Sequence, residues 1–194
     1  VRLRVKTAKK DIKTIYPEIL IIGDGSCLEE DLRIYLSWQP KHEVMAVGRA
    51  YQKYAGEVRH WANVDANEAK WWAEHLPWIN GQASPIRHTL GEYDWFDVAW
   101  DVVDGKLWDP AEVLWHGSSS LFAVYACLAM GYESIVLAGC PMDALGHWYD
   151  RTAGPRWTGE SYQAWLQFAA TPEARKVTSI SGYTRQILRG GALA

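Results

Sequence analysis

The stretch Glu18-Ile19-Leu20-Ile21-Ile22-Gly23-Asp24-Gly25-Ser26-Cys27 decides the fold class. Four apolar residues in a row, three of them β-branched, suit a strand buried on both faces, as in a parallel sheet. Gly-Asp-Gly-Ser then turns the chain. Leu28 to Trp38 follows with Leu28, Leu32, Tyr35 and Leu36 near helical spacing, and with Glu29, Glu30 and Asp31 in the first turn, where negative charge favours a helix start. Strand, glycine turn, helix is the opening unit of an open α/β sheet.

Working outward, the unit recurs. His42 to Val47 reads as a second strand followed by a short helix through Tyr54, and Val58 to Val64 as a third strand. Asp65-Ala66-Asn67-Glu68 has capping-box spacing before a helix from Ala66 to His75. Within Ile79 to Leu107 only Ser84 to His88 and Phe96 to Val103 have strand character, and residues 79–115 read either as sheet or as a lid over it. Gly117-Ser118-Ser119-Ser120 leads into an apolar helix with Leu121, Val124, Tyr125 and Leu128 on one stripe and Gly131 as its stop. Ser134 to Ala138 is another buried strand, ended by Gly139-Cys140-Pro141. A helix over Gly159 to Ala169 and a strand over Lys176 to Ile180 close the pattern, while Val1 to Lys13 alternates apolar and basic residues as an edge strand or lead-in arm. With no repeat and no linker, the expectation is a single α/β domain with an open, mainly parallel sheet and helices on both faces.

Composition agrees with one domain of 194 residues. A net charge of −3 argues against a nucleic-acid partner bound through many phosphates. No apolar run approaches the ~18 residues of a membrane span, and the basic stretch Val1 to Lys13 lacks the apolar core of a signal peptide. Cys27, Cys127 and Cys140, odd in number, read as free thiols of a reducing cytoplasm. Tryptophan is in excess, 12 against three Phe. Trp71 and Trp72 are adjacent on one helix, so at least one packs on the sheet, and Trp165 reads as helix packing. Trp95, Trp100, Trp108 and Trp115 fall in the middle region, and Trp148, then Trp157, are the rings expected to touch a ligand.

In such sheets ligands bind beyond the carboxyl ends of the strands, and three loops qualify. Gly23 to Cys27 permits close backbone approach and opens a helix, without the full G-x-G-x-x-G spacing, so it reads equally as a structural turn or an anion site. Ser118, Ser119 and Ser120 offer three hydroxyls where capping needs one. Cys140 to Asp150 gathers His147, Trp148, Tyr149 and two aspartates, with His147 either a general base oriented by Asp143 or Asp150, or a packing residue. Cys140, Asp143 and His147 match no strong ligand spacing, so no metal is expected. His116 precedes the serine helix and can enter the same cleft. There is no G-x-S-x-G elbow, and Cys27, with no identifiable histidine partner, reads as a small buried residue.

Ile19 to Leu28 resembles the first-strand motif of bacterial CMP-sialic-acid-dependent sialyltransferases of the lipooligosaccharide type. A related motif occurs in Rossmann-like proteins of the flagellin-glycosylation factors and the pterin pyrophosphokinase-like group. Ser118 to Cys127, continuing through Gly131-Tyr132-Glu133-Ser134-Ile135-Val136-Leu137-Ala138-Gly139, is similar to the same group. Val44 to Ala50, Trp61 to Asp65 and the His-Trp loop resemble phage and prophage proteins of that layout, and the likeness spans Glu18 to Asp150.

The resemblance implies a Rossmann-like fold holding a nucleotide or nucleotide-sugar as co-substrate, with no further cofactor. Gly23, Asp24, Gly25 and Ser26 would lie against its phosphate or ribose, Ser118, Ser119 and Ser120 against base or sugar, and Gly48 and Arg49 at the end of the second strand. It implies His147 as the base on the acceptor hydroxyl, Tyr149 as an aid to the departing phosphate, and Trp148 and His116 beside the substrate. Three departures stand out: Ser26 and Cys27 in place of the usual Pro-Ser, Asp24 where Asn is common, and Gly48 where the second strand usually ends in Asn. They leave the donor nucleotide open. The expectation is a nucleotide-sugar-dependent, metal-independent transfer of a sugar to a glycan or other hydroxyl acceptor. The alternatives are a non-catalytic nucleotide-binding or phage-associated module and a Mg-dependent pyrophosphokinase-type phosphotransferase. A homo-oligomer is compatible with each.

Overall fold

The fold is taken from a computed structural model, which describes residues 2–75, 84–104, 118–143, 145–150 and 158–190. The apolar run Glu18–Ile22 forms β2, fully buried from Ile19 onward, and the chain turns into α1 (Leu28–Ser37) and returns as β3 (Glu43–Val47). β4 (His60–Ala62), α2 (Ala66–His75), β5 (Ile86–Leu90) and β6 (Val98–Asp104) follow. Residues 84–104 thus supply two strands of the sheet. The N-terminal segment is the edge strand β1 (Arg2–Ala8), antiparallel to β6.

The chain then crosses back through α3 (Ser119–Met130) to β7 (Ser134–Ala138), on the opposite side of β2, and ends with α4 (Thr158–Ala169), β8 (Val177–Ser179) and α5 (Gly182–Leu188). The order across the sheet is β1-β6-β5-β4-β3-β2-β7-β8, parallel throughout except at β1. Strands advance from β2 toward β6, whereas β7 and β8 lie on the other side. The order therefore reverses between β2 and β7, and the crevice beyond the ends of these two strands is where such sheets hold ligands.

Alternation along each strand separates the two helical layers. Ile19, Ile21, Met45 and Val47 face α3, α4 and Ile187 of α5, while Leu20, Ile22, Val44 and Ala46 face Leu28, Leu32 and Tyr35 of α1 and Ala66 and Ala69 of α2. α3 departs from the expected stripe, since all of Leu121 to Cys127 is buried. The sheet covers one side and α4 another, with Tyr125 and Phe168 meeting edge to face at 5.4 Å between ring centroids. Trp61, Trp100 and Trp165 are wholly enclosed; Trp72 packs on the second layer while its neighbour Trp71 faces solvent. Of the eight tryptophans among the described residues, the three enclosed ones are core, while Trp38 and Trp71 are exposed. No helix among the described residues is long and apolar enough to cross a membrane.

Candidate functional site

The loops after β2 and β7 close on one another at the reversal point. Gly23 donates its N–H to Ala138 O at 2.8 Å and Gly25 to Gly139 O at 2.7 Å. A Cβ at Gly23 would stand 2.5 Å from Cys140 Sγ, and one at Gly25 would stand 2.3 Å from Pro141 Cδ. These two glycines let backbone approach backbone. From below, the buried Asp31 carboxylate accepts the Gly139 N–H at 2.8 Å and the Ser181 hydroxyl at 2.7 Å, tying α1 to the loop after β7 and to the turn after β8.

The segment 145–150 crosses over this pair. Gly25 and His147 form an antiparallel bridge, Ser26 N–H donates to Gly146 O at 3.2 Å, and Trp148 N–H to Asp24 O at 2.9 Å. These bonds bring His147, Trp148 and Tyr149 to the end of β2. His147 and Tyr149 stack with centroids 5.1 Å apart and planes 5° from parallel, and the Arg49 guanidinium lies over Tyr149 at 4.1 Å from its centroid. Arg49, Tyr149 and His147 form three layers, and Lys53 adds a second cation 4.8 Å from the Trp148 ring. Burial lowers the His147 pKa, partly offset by the Asp24 main-chain carbonyl that its ring faces, so the imidazole is neutral near pH 7. Burial holds the Tyr149 phenol far up, fully protonated.

Beneath Arg49, the turn after β3 is clamped from three directions. Asn63 Oδ1, at the end of β4, accepts the Gly48 N–H at 3.1 Å, Trp61 Nε1 donates to Gly48 O at 2.7 Å, and Asp24 Oδ2 accepts the Arg49 N–H at 3.0 Å. Gly48 has φ +58°, and a Cβ there would fall 2.1 Å from Asp24 Oδ2. The glycine at this position follows from the aspartate: the carboxylate occupies the space a side chain would need. Three polar atoms around this turn are buried with no hydrogen-bond partner among the described residues: Asp24 Oδ1, Asn63 Nδ2 and Trp148 Nε1. Burial pushes the Asp24 carboxyl up to about 7, against the lowering effects of the Arg49 amide and guanidinium.

The other expected residues divide. Ser118 caps α3 by accepting the Leu121 N–H at 3.3 Å, Ser119 accepts the Val64 N–H at 3.2 Å, and Ser120 lies 3.3 Å from the Ser118 hydroxyl, so all three sit at the strand ends with internal partners. Asp143 Oδ1 accepts the Leu145 N–H at 3.0 Å in a local turn, and the carboxylate acting on His147 is that of Asp150, opposed by the Arg49 cation. Cys140 is buried with its thiol pushed well up, and among the described residues no three His, Cys, Asp or Glu side chains are placed to hold a metal. His116, Trp108, Trp115 and Trp157 lie outside the described residues.

Asn63 and Lys53 were not singled out by the sequence. Asn63 directly follows the short strand His60-Trp61-Ala62, and a polar residue just after a buried strand is the signal that could have found it. Compared with protein-family models, with curated proteins and with solved structures, the chain finds no match in any of the three.

Proposed function

We propose that this protein binds a nucleotide or nucleotide-sugar over the carboxyl ends of β2, β3 and β4 and transfers the sugar to an acceptor hydroxyl without a metal. The observation that carries the reading is the convergence, beside the sheet's reversal point, of a neutral histidine, an arginine held on a clamped turn and three buried polar atoms without partners. Buried unpaired donors and acceptors are costly, and a ligand rich in both kinds of group supplies what they lack.

In the proposed transfer His147 takes the proton of the acceptor hydroxyl as that oxygen attacks the anomeric carbon. The bond from that carbon to the phosphate oxygen breaks, and Arg49 and the Tyr149 O–H meet the charge on the departing phosphate. In this reading Ser26 lies toward the phosphate and the α3 serines toward the base or sugar. Trp148 and Lys53 form the wall beside Arg49. The test is calorimetry against a broad panel of nucleotides and nucleotide-sugars. Binding of at least one nucleotide-sugar supports the reading, and binding of none overturns it.

A second reading, binding without transfer, is favoured by the internal hydrogen bonds of all three α3 serines and by the engagement of His147 with the Asp24 carbonyl. Under it a His147→Ala protein binds as the wild type does and no sugar transfer is detectable in either.

A further inference from the structure

Asp24 is an unusual neighbour for an anion site. Its Oδ2 accepts the Arg49 N–H, its Oδ1 is buried without a hydrogen-bond partner among the described residues, the Ala50 amide and the Tyr149 hydroxyl also act on the carboxyl, and the Gly48 turn closes directly upon it. The charged and titratable groups around it come from three elements. The turn after β3 contributes the Arg49 guanidinium and Tyr51; the segment 145–150 contributes Tyr149 and His147; the loop after β7 contributes Cys140. Of these, Arg49 is the cation, and among the described residues no carboxylate forms an ion pair with its guanidinium. Asn63, neutral, lies on the other side of Gly48.

We propose that Asp24 couples anion binding at Arg49 to the uptake of one proton, so that a phosphate-bearing ligand binds the protein with Asp24 as the neutral acid. The proposal rests on the anion site of the preceding reading but not on the transfer reaction. An anion drawn to Arg49 competes for the guanidinium that offsets the carboxylate. It also adds a second negative charge in a place from which water is excluded. Protonation removes the conflict. The proton comes from solvent and goes to Oδ1, which has no hydrogen-bond partner among the described residues, while Oδ2 keeps the Arg49 N–H. As the acid, Oδ1 becomes a donor instead of an unpaired acceptor. Burial holds this carboxyl near the pH at which such coupling is felt, at about 7.

Sulfate is the probe, because it stays a dianion across the pH range and does not titrate itself. The side-chain carboxyl carbon of Asp24 is followed by NMR against pH in sodium sulfate and in sodium chloride of equal ionic strength, with the resonance assigned by its loss in Asp24→Asn. The expected result is a midpoint near 7 in chloride, raised in sulfate by about half a unit or more, the shift that a threefold preference for the acid form produces. A midpoint that sulfate does not move overturns the proposal, as does a shift confined to the His147 ring. Through-bond correlation to the Asp24 backbone amide assigns the same resonance in the wild type, so the titration decides the matter even if Asp24→Asn fails to fold. If nucleotides bind while Asp24 does not respond to sulfate, this proposal falls alone. If Asp24 responds to sulfate while no nucleotide binds, the nucleotide reading falls and this one stands.

Discussion

His60 Nδ1 lies 2.9 Å from His88 Nε2 in the interior of the sheet, with both rings fully buried. One of the two nitrogens must carry the proton that joins them, and the neighbours decide which. Trp100 Nε1, a donor only, points at His88 Nδ1 at 3.1 Å, so that nitrogen accepts and His88 carries its proton on Nε2. His88 then donates to His60 Nδ1, and His60 presents its own N–H to the Tyr132 oxygen at 3.3 Å. Tyr132 donates to Glu43 Oε2 at 2.6 Å, and Glu43 Oε1 pairs with Arg59 at 2.7 Å. The chain of donors runs one way across β6, β5, β4 and β3.

A proton added to either ring breaks this chain. Burial pushes His88 down to about 3 and His60 well below its ordinary value. Between those values and the unfolded value of about 6.5 the unfolded chain binds more protons, so the full contribution is present above that pH and is lost as pH falls through the folded values. Urea unfolding midpoints measured from pH 7 to 4 are expected to fall by several kcal/mol in stability. His88→Leu leaves the Trp100 N–H without its acceptor, costs about 2–3 kcal/mol at pH 7, and flattens that pH dependence.

Gly48 and Asp24 are coupled sterically. Gly48→Ala is expected to cost about 1–2 kcal/mol for the left-handed backbone and about 1–3 kcal/mol more for the collision with the carboxylate. In an Asp24→Ala background only the first cost remains. A double-mutant cycle by chemical denaturation therefore yields a coupling above about 1 kcal/mol; simple additivity would refute the contact.

Cys27 opens α1 but is no nucleophile. Burial pushes its thiol up to about 12, with the Asp31 carboxylate adding to the rise. Iodoacetamide is expected to leave it unmodified in the folded protein at neutral pH and to label it on unfolding, read by mass spectrometry. Asp31→Ala removes the acceptor of the Gly139 N–H and costs about 2–3 kcal/mol. Asp31→Asn keeps an acceptor, costs less and speeds the labelling.

The proposed base has its own signature. His147→Ala is expected to lower sugar transfer by about 10²–10⁴-fold while leaving nucleotide-sugar affinity within a fewfold of wild type. Because burial lowers the His147 pKa, the acid limb of kcat in the wild type lies below the ordinary histidine range. An acid limb at or above that range would assign the titration to another group.

Much of the frame was legible without coordinates. β2 and β7 are short continuous apolar runs ended by glycine, and such runs form strands buried on both faces wherever they fall. Asp65 caps α2 by accepting the Asn67 and Glu68 N–H groups, as its spacing predicts. Less regular segments were harder. β4 is only three residues of the longer run Val58 to Val64, and α5, with glycine first and seven residues in all, carried no periodic signal. Ser119 was visible as a hydroxyl at a helix start, yet nothing local could assign it to the amide of Val64, 55 positions earlier.

Residue type and spacing alone determined that this chain folds as an α/β sheet with its polar loops at the strand ends. Such signals are local, because hydrophobic period, caps and turns act within a few residues. Only the tertiary structure decided that the sheet reverses between β2 and β7, that Gly48 yields its side-chain space to Asp24, and that Asn63 leaves an amide unpaired beside them. The physical reason is that a donor meets its acceptor, or a glycine its crowding neighbour, through strand order and register. Those are set when the whole sheet packs, not by any single stretch of sequence.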